Sequence, residues 1–201
     1  MKDSHENGKT WDFSGWTTRD LMVTIVLGLA VAVVSIPLRL GTASLGAAFG
    51  PIASVPASAY VVLGGIFVAY VVRRPGAAAL SQLVVGLVLM IFMPGGFFLI
   101  ILYVIHAIAI ELPFAVTRYQ RWGDLFLFGA GGFARLLILG TAWIAAGLSN
   151  FSPLIQLGII AGALIAGGIG GLLAKALAQS LAKAGVFTIG GLDPDRLEAL
   201  L

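Results

Sequence analysis

Tyr103, His106 and Glu111, side chains able to do chemistry, stand inside one mostly apolar stretch, Phe97 to Arg121. Glu111 is the only carboxylate within any apolar segment of the chain. An acid in hydrocarbon is costly, so it turns to protein or to a cavity and marks a functional-site candidate. Pro113 follows two residues later and leaves the carbonyl of Ala109 without its helical donor. Two uses of Glu111 are open: a charge-assisted hydrogen bond to a ligand, or an ion pair with a basic residue on a neighbouring helix, Arg135 being the candidate. A shared role, with Arg135 orienting Glu111 under a ligand, joins the two.

Covalent catalysis finds little support in the same residues. His106 and Glu111 are five apart, about 140° around a helix, so both cannot squarely face one serine. The chain has two histidines and no cysteine, which rules out a thiolate nucleophile, an HExxH site or a multi-histidine metal site. Its glycine clusters lack the Lys-Ser/Thr of a phosphate loop. No catalytic residue, metal or cofactor is therefore assigned, and the chain is not expected to be an enzyme. It looks built to bind and move something, without an energy source of its own.

The elements that position these residues follow from composition. Hydrophobic residues make up 59% of 201 and charged residues 10%, with a mean hydropathy of +1.03. A soluble domain carries about a quarter charged residues, so this is a polytopic membrane protein, and its 27 glycines suit helices packed closely in lipid. The expected fold is all-α, a bundle of six transmembrane helices. A polar tail, 1–16, has Trp11 and Trp16 as interface anchors and no cleavable signal. The membrane domain spans 17–185, and 186–201 is a short cytoplasmic end, where Asp193-Pro194-Asp195 opens a surface helix.

Within the membrane domain, Thr17-x-x-Asp20 reads as a capping box opening a first span, about 20–38, that ends near Pro37. Residues 39–56 are broken by Gly and Pro and read as a lid or re-entrant segment on the membrane face. Further spans are expected at about 57–72, 77–93, 97–117, 124–147 and 154–183, each near the length that crosses ~30 Å of hydrocarbon. Gly28-x-x-x-Ala32 is a small-residue pair suited to close helix contact. In the last span small residues recur every fourth position from Gly158 to Ala182, a row that drifts about 40° per step and so winds around its helix.

Charge sets the expected orientation. Lys2, Lys9, Arg19, Arg73, Arg74, Arg118, Arg121, Lys175, Lys183 and Arg196 fall on one side of the six spans and Arg39 alone on the other. The positive-inside rule then puts both termini in the cytoplasm, and the basic residues need no nucleic acid to explain them. Gln82 and Glu111 fall at similar depths in the inner half, with Arg135 somewhat deeper, close enough for the three to form one network, a salt bridge with an amide beside it. Tyr60, Phe98, Tyr103, His106 and Trp143 sit nearer the outside, where aromatic walls with a few polar groups suit a flat heteroaromatic ligand.

Several stretches resemble the YkoE family: Phe49-Gly50-Pro51-Ile52-Ala53, the run from Arg73-Arg74-Pro75-Gly76-Ala77-Ala78-Ala79 to Gln82, Ile110-Glu111 ahead of Arg118, and Lys175 to Val186. The likeness covers about residues 16–190. Members of that family are substrate-binding (S) components of energy-coupling-factor vitamin transporters, linked to thiamine and its hydroxymethylpyrimidine precursor. The resemblance implies a six-helix capture subunit without ATPase activity, working with a transmembrane coupling protein and two ATPase subunits, to which Gly28 and Ala32 are candidate contacts. It departs from the family pattern at Gln82, where an acid is expected, and at Arg135, where a small residue is expected. Together these shift the interior towards positive charge and favour a neutral or phosphorylated pyrimidine over the thiazolium cation if they line the pocket. A self-sufficient small-solute transporter or channel subunit is the alternative, with Glu111 and His106 as its titratable groups.

Overall fold

The computed structural model describes residues 15–145 and 147–186. The expectations for Trp11 and for the helix opening at Asp193 lie outside them. Every regular element among the described residues is helical. In chain order they are α1 (Thr18–Phe49), α2 (Pro51–Ala57), α3 (Tyr60–Val72), α4 (Ala77–Phe92), α5 (Phe97–Val116), α6 (Asp124–Ala145) and α7 (Pro153–Lys183), with a 3-10 turn at Leu148–Asn150. Five stretches are long and apolar enough to cross a membrane: α1, α2 with α3, α5, α6 and α7. The sixth, α4, has 16 residues, about 24 Å of helix, and packs between α1, α3 and α5.

The capping box forms as expected. The Thr17 hydroxyl accepts from the Asp20 amide at 3.1 Å and the Asp20 carboxylate accepts from the Thr17 amide at 3.2 Å. The expected end of the first span at Pro37 is corrected by the structure, where α1 runs through it to Phe49, 32 residues in all. Proline removes a single backbone bond, a loss that helices in a membrane accommodate, and Thr42 and Ser44 return hydroxyls to the carbonyls of Arg39 and Leu40. The break comes at Gly50, whose φ of 69° favours glycine. Pro51 then opens α2 at a position where its missing N–H costs nothing. The 39–56 segment is thus ordered: the end of a long helix and a short one folded back.

Two features hold the bundle. The central helix is α3, buried on nearly all sides, as its almost uninterrupted apolar sequence requires. The α6–α7 crossing is a backbone contact: a Cβ on Gly131 would lie 2.2 Å from the Gly167 carbonyl oxygen, and one on Gly171 2.2 Å from that of Leu127. Such proximity gives dispersion contact that larger residues would prevent. The small-residue row of α7 winds as its spacing requires, from exposed Gly158 to buried Gly170, Ala174 and Ala178.

Gly28 and Ala32 are not on the outer surface. With Asp20, Thr24 and Ser35 they form the buried stripe of α1, and a Cβ on Gly28 would meet Val84 Cβ at 3.2 Å and the Ser81 carbonyl oxygen at 3.3 Å. The pair brings α1 onto α4 of the same chain and is not available to a coupling subunit. Small spacing signals a close approach without naming the partner.

One end of the bundle is tied by polar contacts. Arg74 Nε donates to Asp20 at 3.1 Å, Trp16 Nε1 donates to the Pro75 carbonyl at 3.1 Å, and Lys175 pairs with Asp124. Arg73 lies over the rings of Tyr70 and Trp122. Among the described residues, Arg73, Arg74 and Lys175 of the basic residues expected on one side gather at this end, and the other end holds the cavity described next.

Candidate cavity beneath the α1–α2 elbow

Four-residue spacing places Phe98, Leu102 and His106 on one face of α5. That face looks into a cavity of about 450 Å³, lined in addition by Arg39, Thr42 and Ala43 of α1, Ser54 and Val55 of α2, Ser58, Tyr60 and Val61 at the start of α3, and Arg135, Ile138 and Thr141 of α6. The size is within the range of small-ligand sites. Phe98 stands at the rim, 65% exposed, whereas Arg135 and His106 are 3% and 4% exposed.

Buried polar groups are ordinarily hydrogen-bonded. Among the described residues four buried side-chain atoms have no partner: Gln82 Oε1, Tyr103 OH, His106 Nδ1 and Arg135 Nε. All four belong to residues at or just behind this one cavity. His106 and Arg135 line it. Tyr103 packs edge-on against His106 with ring centroids 5.0 Å apart, and its place is made by Gly86, where a Cβ would come within 2.6 Å of Tyr103 Cβ. Gln82 sits behind the wall and donates to the Val61 carbonyl at 3.4 Å.

Arg135 is held by its other end. Its Nη2 donates to the Val55 carbonyl and to the Ser58 hydroxyl, so the guanidinium fastens α2 to α6 while Nε stays unpartnered. Arg39 lines the same cavity as Tyr60 and His106. No carboxylate lines the cavity, and among the described residues neither arginine forms an ion pair.

Glu111 is elsewhere, and the expected Glu111–Gln82–Arg135 network does not form. It lies about 7.5 Å further along α5 than His106 and caps the start of α4, accepting from the amides of Gly76 at 2.7 Å and Ala79 at 2.9 Å. The Tyr119 hydroxyl donates to the same carboxylate. Burial, and then the bond to Glu111 and its charge, raise the pKa of that hydroxyl above the ordinary tyrosine value. A carboxylate at a helix N-terminus meets two unsatisfied amides and the positive end of the helix dipole, which accounts for its place in a membrane segment. The Arg-Pro-Gly-Ala-Ala turn is thus a structural hub: Arg74 to Asp20, Pro75 to Trp16, Gly76 and Ala79 to Glu111.

Of the residues expected at the site, Tyr60, Phe98, His106 and Arg135 line the cavity, and Tyr103 and Gln82 back it. Glu111 does not, and Trp143 packs instead into an apolar cluster with Val55, Leu139 and Leu148. Sequence reasoning missed Arg39, Thr42, Ser54, Ser58 and Thr141. Arg39 carried a usable signal, since it alone breaks the loop charge bias. A second groove of about 410 Å³, between α5 and α6, is lined by Leu112, Pro113, Val116, Leu125, Phe126 and Phe133 among others and offers one hydroxyl, Thr117. It is a lipid-type surface.

Comparison with known proteins places this architecture. The family model described as "ABC-type cobalt transport system, permease component" matches residues 19–137, more than half of the chain. The chain belongs to this family. A curated relative, "Putative HMP/thiamine permease protein YkoE" of Bacillus subtilis (strain 168), is 29% identical over 179 residues, covering 85% of this chain and 87% of its own. A solved structure described as "Crystal structure of an S-component of ECF transporter" superposes with a TM-score of 0.80 at 28% identity, covering 85% of this chain and 88% of that one. The member described here is a YkoE-like S component and a multi-pass protein of the cytoplasmic membrane, as the sequence motifs implied.

Proposed function

We propose that the chain captures a flat heteroaromatic solute, thiamine or a related pyrimidine precursor, from outside the cell. It hands the solute inward in complex with a transmembrane coupling subunit and two ATPase subunits. The observation that carries this reading is an aromatic-rimmed cavity lined by His106 and Arg135, each keeping a buried polar atom without a partner. Tyr60 and Phe98 offer ring faces for stacking. His106 and Arg135, which line the cavity, offer hydrogen bonds to ring heteroatoms, and Tyr103 and Gln82 support the wall behind them. In place of ligand contact, Glu111 fixes the start of α4 and Trp143 the packing under α2.

The ten-to-one distribution of basic residues favours both termini inside and the cavity outside. The end of α1 together with α2 then forms the cover over the entrance. The chain supplies no nucleotide-binding motif, so uptake draws its energy from partners. The word cobalt in the family description suits this lining poorly, because a divalent cation would face two guanidinium groups and no carboxylate. A self-sufficient transporter is not favoured, since among the described residues Glu111, bonded to Tyr119, and His106, packed on Tyr103, are not joined into one chain of titratable groups crossing the bundle. Reconstitution tests the reading: the purified chain binds a pyrimidine vitamin but moves none into liposomes until coupling and ATPase subunits are added. Uptake by the chain alone would refute it.

A further inference from the structure

We propose that the cavity selects a ligand bearing an oxyanion, a phosphate monoester or a carboxylate on its heteroaromatic ring, over the neutral alcohol and over a ring cation. This rests on the capture reading above and adds the charge class of what is captured. Two guanidinium groups, Arg39 and Arg135, line the cavity and no carboxylate does. Arg135 is 3% exposed, forms no ion pair among the described residues, and keeps Nε without a partner. A buried cation with only a carbonyl and a hydroxyl to bond is left with charge that neutral groups do not cancel.

An oxyanion entering the cavity meets that charge in a setting where little water competes, and a guanidinium suits planar oxygen pairs. The Thr42, Ser54 and Thr141 hydroxyls on the same lining already donate to the carbonyls of Arg39, Gly50 and Ile138, so the two guanidinium groups are the donors left for an oxyanion. A thiazolium ring, by contrast, would bring a positive charge beside two others. The geometry also divides the labour between the arginines. Arg135 is fixed by α2, whereas Arg39 is the more exposed of the two lining arginines, and its charge attracts an anion from solvent.

The test is calorimetric titration of the full chain in lipid nanodiscs with hydroxymethylpyrimidine, its phosphate monoester, a pyrimidine carboxylate, thiamine and inorganic phosphate. The phosphate ester or the carboxylate should bind about ten- to a hundred-fold more tightly than the alcohol, the worth of a charge-assisted hydrogen bond, and whichever is tighter identifies the oxyanion. Arg135→Gln should shrink that ratio to within about threefold. Should Arg135→Gln fail to fold, Arg39→Gln reads the same ratio and should reduce it with unchanged thermal unfolding. Tighter binding of the alcohol or of thiamine would overturn the inference and leave the capture reading standing. No binding by any ring compound would remove both. Inorganic phosphate binding as tightly as the ester would show that the ring plays no part and would also overturn the inference.

Discussion

Replacing Glu111 by Gln separates a strut from a ligand site, and the structure gives the size of the effect. The carboxylate holds two backbone amides at the start of α4 and the Tyr119 hydroxyl. A glutamine keeps one acceptor oxygen and turns an NH2 towards a backbone N–H. Loss of one charge-assisted hydrogen bond costs about 1.5–3 kcal/mol. The missing negative charge at the α4 N-terminus adds about 0.3–1 kcal/mol, so Glu111→Gln should destabilise the protein by about 2–4 kcal/mol. Denaturant or thermal unfolding in mild detergent measures this, and ligand affinity of the folded fraction should stay within about twofold. Because Glu111 and Arg135 share no partner, the double change Glu111→Gln with Arg135→Gln should be additive within about 0.5 kcal/mol. A double variant markedly more stable than either single one would mean that the two are an ion pair after all. Unchanged stability with a tenfold loss of affinity would place Glu111 in the site and refute the reasoning.

Further outcomes follow from close contacts and from orientation. Gly171→Val should cost about 2 kcal/mol or more, because even a Cβ there would sit 2.2 Å from the Leu127 carbonyl oxygen; unfolding midpoints check it, and a neutral result would mean α6 and α7 are further apart. Gly28→Leu should lower stability, binding and uptake together, since it intrudes on Val84 and Ser81; intact binding with lost uptake would return Gly28 to a partner interface. Gly86→Ala should displace Tyr103 and weaken ligand binding while the helical circular dichroism is kept. Cysteine at Asn150 should react with an impermeant thiol reagent applied outside and cysteine at Gly123 should not, both positions being exposed; the reverse pattern would invert the proposed topology.

Spans and their ends were legible because hydropathy and capping act locally. The Thr17–Asp20 box, the Arg73–Gly76 turn and the start of α7 at Pro153 lie where the sequence places them. The site was legible in part. His106, Tyr60, Phe98 and Arg135 stand out as polar or aromatic residues in apolar runs, and they meet at one cavity. The Glu111–Arg135 pairing failed because residue count along a helix gives depth, whereas contact also depends on which way each helix faces. Glu111 turns to the α4 terminus, a partner made of backbone amides that no side-chain pattern announces. Gly28 failed for a similar reason, and Pro37 because a membrane helix tolerates one missing bond. Arg39 was visible only as an exception to a charge rule, and its meaning appeared when the α1–α2 elbow folded it over the cavity.

Native mass spectrometry of the gently purified chain tests the central claim most directly, namely that the cavity beneath the α1–α2 elbow holds a heteroaromatic solute. The account predicts a bound species with the mass of a pyrimidine vitamin or its acid derivative on the wild-type chain. That species should be lost from His106→Ala and Arg135→Gln and retained by Glu111→Gln. A carried-over solute that survives both cavity substitutions, or that leaves only with Glu111, would contradict it.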